Sequence, residues 1–114
     1  MKVAYKLDTE KRKNSELCFV TQYHLDQETI MDLALIELNG RYPEQGRVTN
    51  QKCRELVYIQ EGRGKVVIEG KETTLHAGDA VLIEPKEKYY WDGNLKLLIT
   101  CTPAWSIEQH HQVE

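Results

Sequence analysis

Apolar residues in this chain alternate with polar ones in short runs, and no stretch of about 12 residues carries them at helical spacing. That pattern limits the fold to strands. Runs of strand type cover Glu16 to Tyr23, Ile30 to Leu38, Arg54 to Ile59, Lys65 to Glu69, Thr73 to Leu75, Ala80 to Ile83 and Leu95 to Thr102. Turn chemistry separates them: a polar stretch around Asp26 to Glu28, then Asn39-Gly40-Arg41, a loop marked by Pro43 and Gly46, Gly62-Arg63-Gly64, Gly70-Lys71, and Ala77-Gly78-Asp79. Pro85 and Pro103 end their strands because proline has no amide donor. Short strands at near-regular spacing predict an all-β sandwich or barrel. The tail from Ala104 to Glu114 can form one short helix with Ser106 as its N-cap.

The 114 residues suffice for one domain, and 40% hydrophobic with 29% charged residues is ordinary for a globular core. The apolar runs are too short to span a membrane, and no apolar signal core opens the chain, so a cytoplasmic protein is expected. Cys18, Cys53 and Cys101 are odd in number and widely spaced, which fits reduced thiols. A net charge of −3 argues against nucleic acid as a partner, and Lys11-Arg12-Lys13 reads as a solvated turn. On the Arg54 to Ile59 strand, Val57 and Ile59 share one face and Leu56 and Tyr58 the other. Both faces are apolar, so a second layer or a partner subunit is expected, with a homodimer the simplest.

The run Glu55-Leu-Val-Tyr-Ile-Gln-Glu-Gly62, followed after a hairpin by Gly78-Asp79 and Pro85, resembles the cupin superfamily over roughly residues 30 to 105. The resemblance implies a double-stranded β-helix, or jelly-roll, barrel. It also implies where metal-binding members carry histidine: Thr49 and Gln51 before Glu55, and Tyr89 after the proline corner. None of these is an imidazole, and His24, His76, His110 and His111 lie elsewhere. No metal is therefore expected as a required cofactor; a weakly held divalent ion would fall to Glu55 with Gln51.

If Glu55 points inward, period-two geometry puts Gln51, Cys53, Val57 and Ile59 on its face, with Tyr89 and Trp91 at the same parity on a later strand. Gln51, Cys53, Glu55, Tyr89 and Trp91 are the expected ligand-binding set, and Glu55 with Tyr89 the candidate catalytic pair. Two readings of Glu55 stay open: a carboxyl of raised pKa that shuttles a proton, or one simply paired with a nearby Arg or Lys. The expected function is the binding of a small sugar or organic acid. The alternatives are a metal-free isomerase or epimerase using Glu55 and Tyr89, a metal-dependent oxygenase with unusual ligands, or a dimerisation or regulatory module.

Overall fold

A computed structural model of the chain describes residues Met1 to Glu114. Nine antiparallel strands form one curled sheet: β1 (Glu10–Ser15), β2 (Cys18–Tyr23), β3 (Leu33–Tyr42), β4 (Arg47–Asn50), β5 (Arg54–Ile68), β6 (Lys71–His76), β7 (Ala80–Ile83), β8 (Tyr89–Thr102) and β9 (His110–Val113). The sheet closes on itself as a jelly-roll barrel. β8 is central, with β3 on one edge and β5 on the other, and β2 then β1 continue outward from β3. The far edge of β5 is divided, its first part pairing β7 and its last part β6. β4 touches β8 only at Val48 and Tyr89, and otherwise pairs β9. No helix is long and apolar enough to cross a membrane.

Alternation builds the interior as the sequence predicts. Along β8, Tyr89, Trp91, Leu95, Leu97, Ile99 and Cys101 are buried, and along β5 so are Glu55, Val57 and Ile59. These side chains, with Cys18, Val20, Ala34 and Leu38 from β2 and β3, make up much of the core. On the opposite face of β5, no second layer of this chain covers Leu56, 54% exposed, or Tyr58, 45% exposed.

The largest difference lies at Gly62-Arg63-Gly64, which is no turn. β5 runs through it for 15 residues and shifts register once, from Ile59 opposite Leu97 to Glu61 opposite Lys96. One extra residue, Gln60, bulges and reverses which parity faces inward, so that Val66 rather than an odd-numbered neighbour packs opposite Trp91. Asn39-Gly40-Arg41 likewise lies within β3. The glycines here serve a bend: Gly40, Gly93 and Gly64 lie in one row across β3, β8 and β5. Gly93 has φ +145°, and a Cβ on it would stand 2.5 Å from the Gly64 Cα.

Both chain ends also depart from expectation. Lys11-Arg12-Lys13 lies on β1, where pairing of Arg12 with Val20 turns Arg12 toward the barrel. The tail makes only a single 3-10 turn, Ile107–Gln109, whose Ser106 N-cap forms no side-chain cap bond, and then continues as β9. The register of β9 with β4 competes successfully with a helix that has no apolar stripe to bury.

Replacing Gly93 with Ala should therefore cost about 3 kcal/mol or more in urea unfolding, since backbone and not a flexible side chain meets the new methyl. Gly78→Ala, at φ +95° with open space around it, should cost only about 1–2 kcal/mol. Equal losses at the two positions would show that the bend does not depend on close backbone approach.

Candidate functional site

The barrel encloses a mainly apolar cavity of about 50 Å³, room for roughly three or four waters. Polar groups enter its lining from five elements: Arg12 on β1, Gln22 on β2, Tyr42 on β3, Glu55 on β5 and Tyr89 on β8. Trp105 and His110 close it from the tail. An open polar depression of about 480 Å³ adjoins it outside, sharing Asn14 and Tyr42.

Glu55 is the group the others are arranged around. The residue is 6% exposed and its carboxyl makes no ion pair. Pairing with an Arg or Lys, one of the two readings left open, is thus not what the structure holds. Oε1 accepts hydrogen bonds from the Tyr89 hydroxyl at 2.7 Å and from Asn50 Nδ2 at 2.7 Å. The Cys101 thiol approaches Oε2 at 3.7 Å. Burial pushes the Glu55 pKa up, the bonds from Tyr89, Cys101 and Asn50 oppose it, and the balance stays above the ordinary 4.5. Tyr89 is raised well above its ordinary value, first by burial and then by the Glu55 charge.

Asn50 extends this cluster. Its Oδ1 accepts from Trp105 Nε1 at 3.1 Å and faces His110 Nδ1 at 2.7 Å. The indole nitrogen only donates, so the amide cannot be turned the other way round. Oδ1 therefore requires a proton on His110 Nδ1, leaving Nε2 to accept from the Tyr42 hydroxyl at 2.8 Å. His110 is thereby held neutral, and burial lowers its pKa to about 4. On the far side, Asp32 Oδ1 accepts from the Cys101 amide, and Oδ2 from the Trp105 amide and Gln22 Nε2.

Three of the five residues expected to bind ligand, Glu55, Tyr89 and Trp91, line the cavity. Gln51 and Cys53 do not. β4 ends at Asn50 and β5 begins at Arg54, so the intervening residues form a turn and period-two counting fails across it. Gln51 is only half-buried there, its amide bonded to the Gln109 carbonyl, while Cys53 is buried and its amide donates to Gln109 Oε1. Sequence reasoning missed Asn50, His110, Tyr42 and Arg12. The pairing of Asn50 with His110 across β4 and β9 spans 60 residues of chain, and no local pattern announces it.

A first-row metal does not fit these donors. Glu55 Oε1 is occupied twice, both His110 nitrogens are engaged, and the remaining neighbours are a phenol, an amide and a thiol held protonated by its hydrogen bond with Cys53 and by burial.

Several solved structures share this fold. A variant of Streptomyces PAC13 solved with uridine has a TM-score of 0.86 at 14% identity, covering 98% of this chain and 90% of that one; PAC13 is described as a nucleoside dehydratase. KdgF from Halomonas sp. gives 0.70 at 11% identity, with 92% and 94% covered. Oxalate decarboxylase from Bacillus subtilis gives 0.80 at 15% identity, and this chain spans 32% of its length. No curated protein sequence is detectably similar. The model of the cupin domain matches residues 37–101, more than half of the sequence and the part that carries Glu55, Tyr89 and Trp91, and the chain belongs to the cupin family.

Proposed function

We propose that this cupin binds a small oxygen-rich molecule in its barrel and that Glu55, with Tyr89, exchanges a proton with it as a metal-free isomerase or lyase. One observation carries the reading: a carboxyl buried without a cation forms part of a cavity wall. The cavity admits one end of a ligand, and the outer depression beside Asn14 and Tyr42 accommodates the rest. Uridine in PAC13 is a molecule of this kind, oxygen-rich and small.

The chemistry follows from the two states of Glu55. Desolvation favours the protonated carboxyl, and because Oε1 already accepts two bonds, Oε2 is the place for its proton. Passed to a ligand hydroxyl or carbonyl oxygen, it leaves a carboxylate that Tyr89, Asn50 and Cys101 stabilise. That carboxylate then takes the proton lost from the neighbouring carbon. Glu55 is restored, and the ligand is isomerised or has lost water.

The test is deuterium uptake from D2O into the carbon-bound positions of small sugars, nucleosides and hydroxy acids, followed by proton NMR. Glu55→Gln should lower the rate about 100-fold or more. Uptake that is absent with every probe, or equal in the variant, would sink the proposal.

Stability offers a second check, with the signs fixed by the two buried groups. The pKa of Glu55 is raised above 4.5 in the folded chain. Stability from this source is therefore full below about 4.5 and falls by about 1.4 kcal/mol per pH unit as pH rises toward the folded value. His110 acts oppositely, its pKa lowered from 6.5 to about 4. Its contribution is present above 6.5 and falls away toward pH 4, by roughly 3 kcal/mol. Glu55→Gln removes only the first slope. Urea unfolding from about pH 5 to 8 should show the variant gaining on the parent as pH rises; a flat difference contradicts a protonated Glu55.

A homodimer is part of the proposal, supported by Leu56, Tyr58 and Leu82, exposed together where β5 pairs β7. Sedimentation should report a dimer that Tyr58→Glu dissociates. A monomeric parent protein would remove this part alone.

A further inference from the structure

Arg12 is a charged group of the cavity wall that stays poorly satisfied. Its guanidinium lies 4.6 Å from the centroid of the Trp105 ring and forms no salt bridge. Both terminal nitrogens reach a single acceptor, Gln22 Oε1, at 3.4 Å, and Nε is buried without a partner. A guanidinium has five N–H donors in a planar fork, so two long bonds to one neutral amide oxygen leave most of that capacity unused.

The nearest carboxylates do not take it up. Asp32 is already committed to the Cys101 and Trp105 amides and to Gln22 Nε2, so Gln22 separates it from Arg12. Glu55 forms no ion pair with it either. The cavity thus holds a cation and a proton donor at separate places, with Val20, Ala34, Leu97 and Ile99 among the apolar lining.

We infer that Arg12 anchors a carboxylate of the ligand, which makes that ligand a short hydroxy- or keto-acid. The inference rests on the proposed ligand site and specifies its substrate class. A carboxylate is planar, as the fork is, and its three heavy atoms fit a cavity of about 50 Å³. Docked on Arg12, it occupies the unused donors and leaves its hydroxyl or keto oxygen free in the cavity that Glu55 also lines. The flat Trp105 ring holds the guanidinium in place.

The chain has two tryptophans, Trp91 and Trp105, and both line the cavity, so intrinsic fluorescence reports on this site. Titration of the full chain with pyruvate and L-lactate should give a saturable change. Methyl pyruvate and lactamide, which lack the anion, should bind at least about tenfold more weakly. Arg12→Met should weaken the two acids about tenfold or more, and Arg12→Lys, which keeps the charge without the fork, should lie between. The acid and ester comparison needs only the unaltered protein, so a variant that fails to fold does not decide the matter. Equal affinity for acid and ester, acids binding Arg12→Met as they bind the parent, or no response to either acid up to about 20 mM each overturn the inference. If acids bind through Arg12 but Glu55→Gln exchanges deuterium as the parent does, the anchor stands and the proton-transfer proposal falls. If neutral sugars exchange through Glu55 without regard to Arg12, the anchor falls and that proposal stands.

Discussion

Glu55 and Tyr89 meet only because the ribbon of β5 and β8 folds back on itself. In the register, Glu55 pairs with Cys101 and Tyr89 with Ile68, at opposite ends of the two strands. Laid flat, the 13 residues from Glu55 to Ile68 would separate those ends by about 43 Å, more than the longest dimension of the molecule, 39 Å. Yet the Tyr89 hydroxyl donates to Glu55 at 2.7 Å. The bend that permits this falls where Gly64 and Gly93 face each other without side chains and Gln60 adds a bulge. The meeting of Glu55 and Tyr89 is thus a consequence of backbone clearance at a point in the sheet remote from either side chain.

Once the two ends meet, hydrogen-bond directions propagate through the cluster with little freedom. Trp105 has only a donor, which fixes the orientation of Asn50, which fixes the tautomer of His110, which makes Tyr42 a donor. The other end of Asn50 meets Glu55 with its amine. A network in which each group determines the next is costly to break at any member, because each lost partner leaves a buried polar atom unsatisfied. It also holds the donors to the Glu55 carboxyl in fixed positions.

The fold was legible because it depends on local signals: alternation on β8, the Gly70 hairpin, and the spacing from Glu55 to Gly62 and on to Pro85. The resemblance implied the inward position of Glu55, and parity then placed Tyr89 and Trp91 with it. Parity failed where the strand was interrupted, as at Gln51 and Cys53 in the turn after β4, and where it was shifted, as beyond Gln60. Asn50 and His110 were hidden for another reason: their meeting depends on which strand the tail pairs with, a matter of long-range register. Arg12 was hidden by its neighbours. Lys11 and Lys13 make it look like part of a solvated cluster, although on a strand alternate residues face opposite sides and one of three can point inward.

A buried carboxyl has few ways to persist: a metal, a cationic side chain or a proton must neutralise it. In metal-binding cupins, as the sequence resemblance implies, imidazoles surround the acid and an ion neutralises it. Here Thr49, Gln51 and Tyr89 stand at those positions, and the phenol of Tyr89 turns its hydroxyl onto the acid itself. The one cation of the cavity, Arg12, is held away from it, over Trp105. Hydrogen bonds from Tyr89, Cys101 and Asn50 only partly offset the burial of Glu55, and its pKa stays raised. Changing the side chains around the Glu55 position therefore changes what surrounds the buried acid, from the imidazoles that the resemblance implies for metal-binding members to a phenol and an amide. The barrel backbone need not change for that to happen.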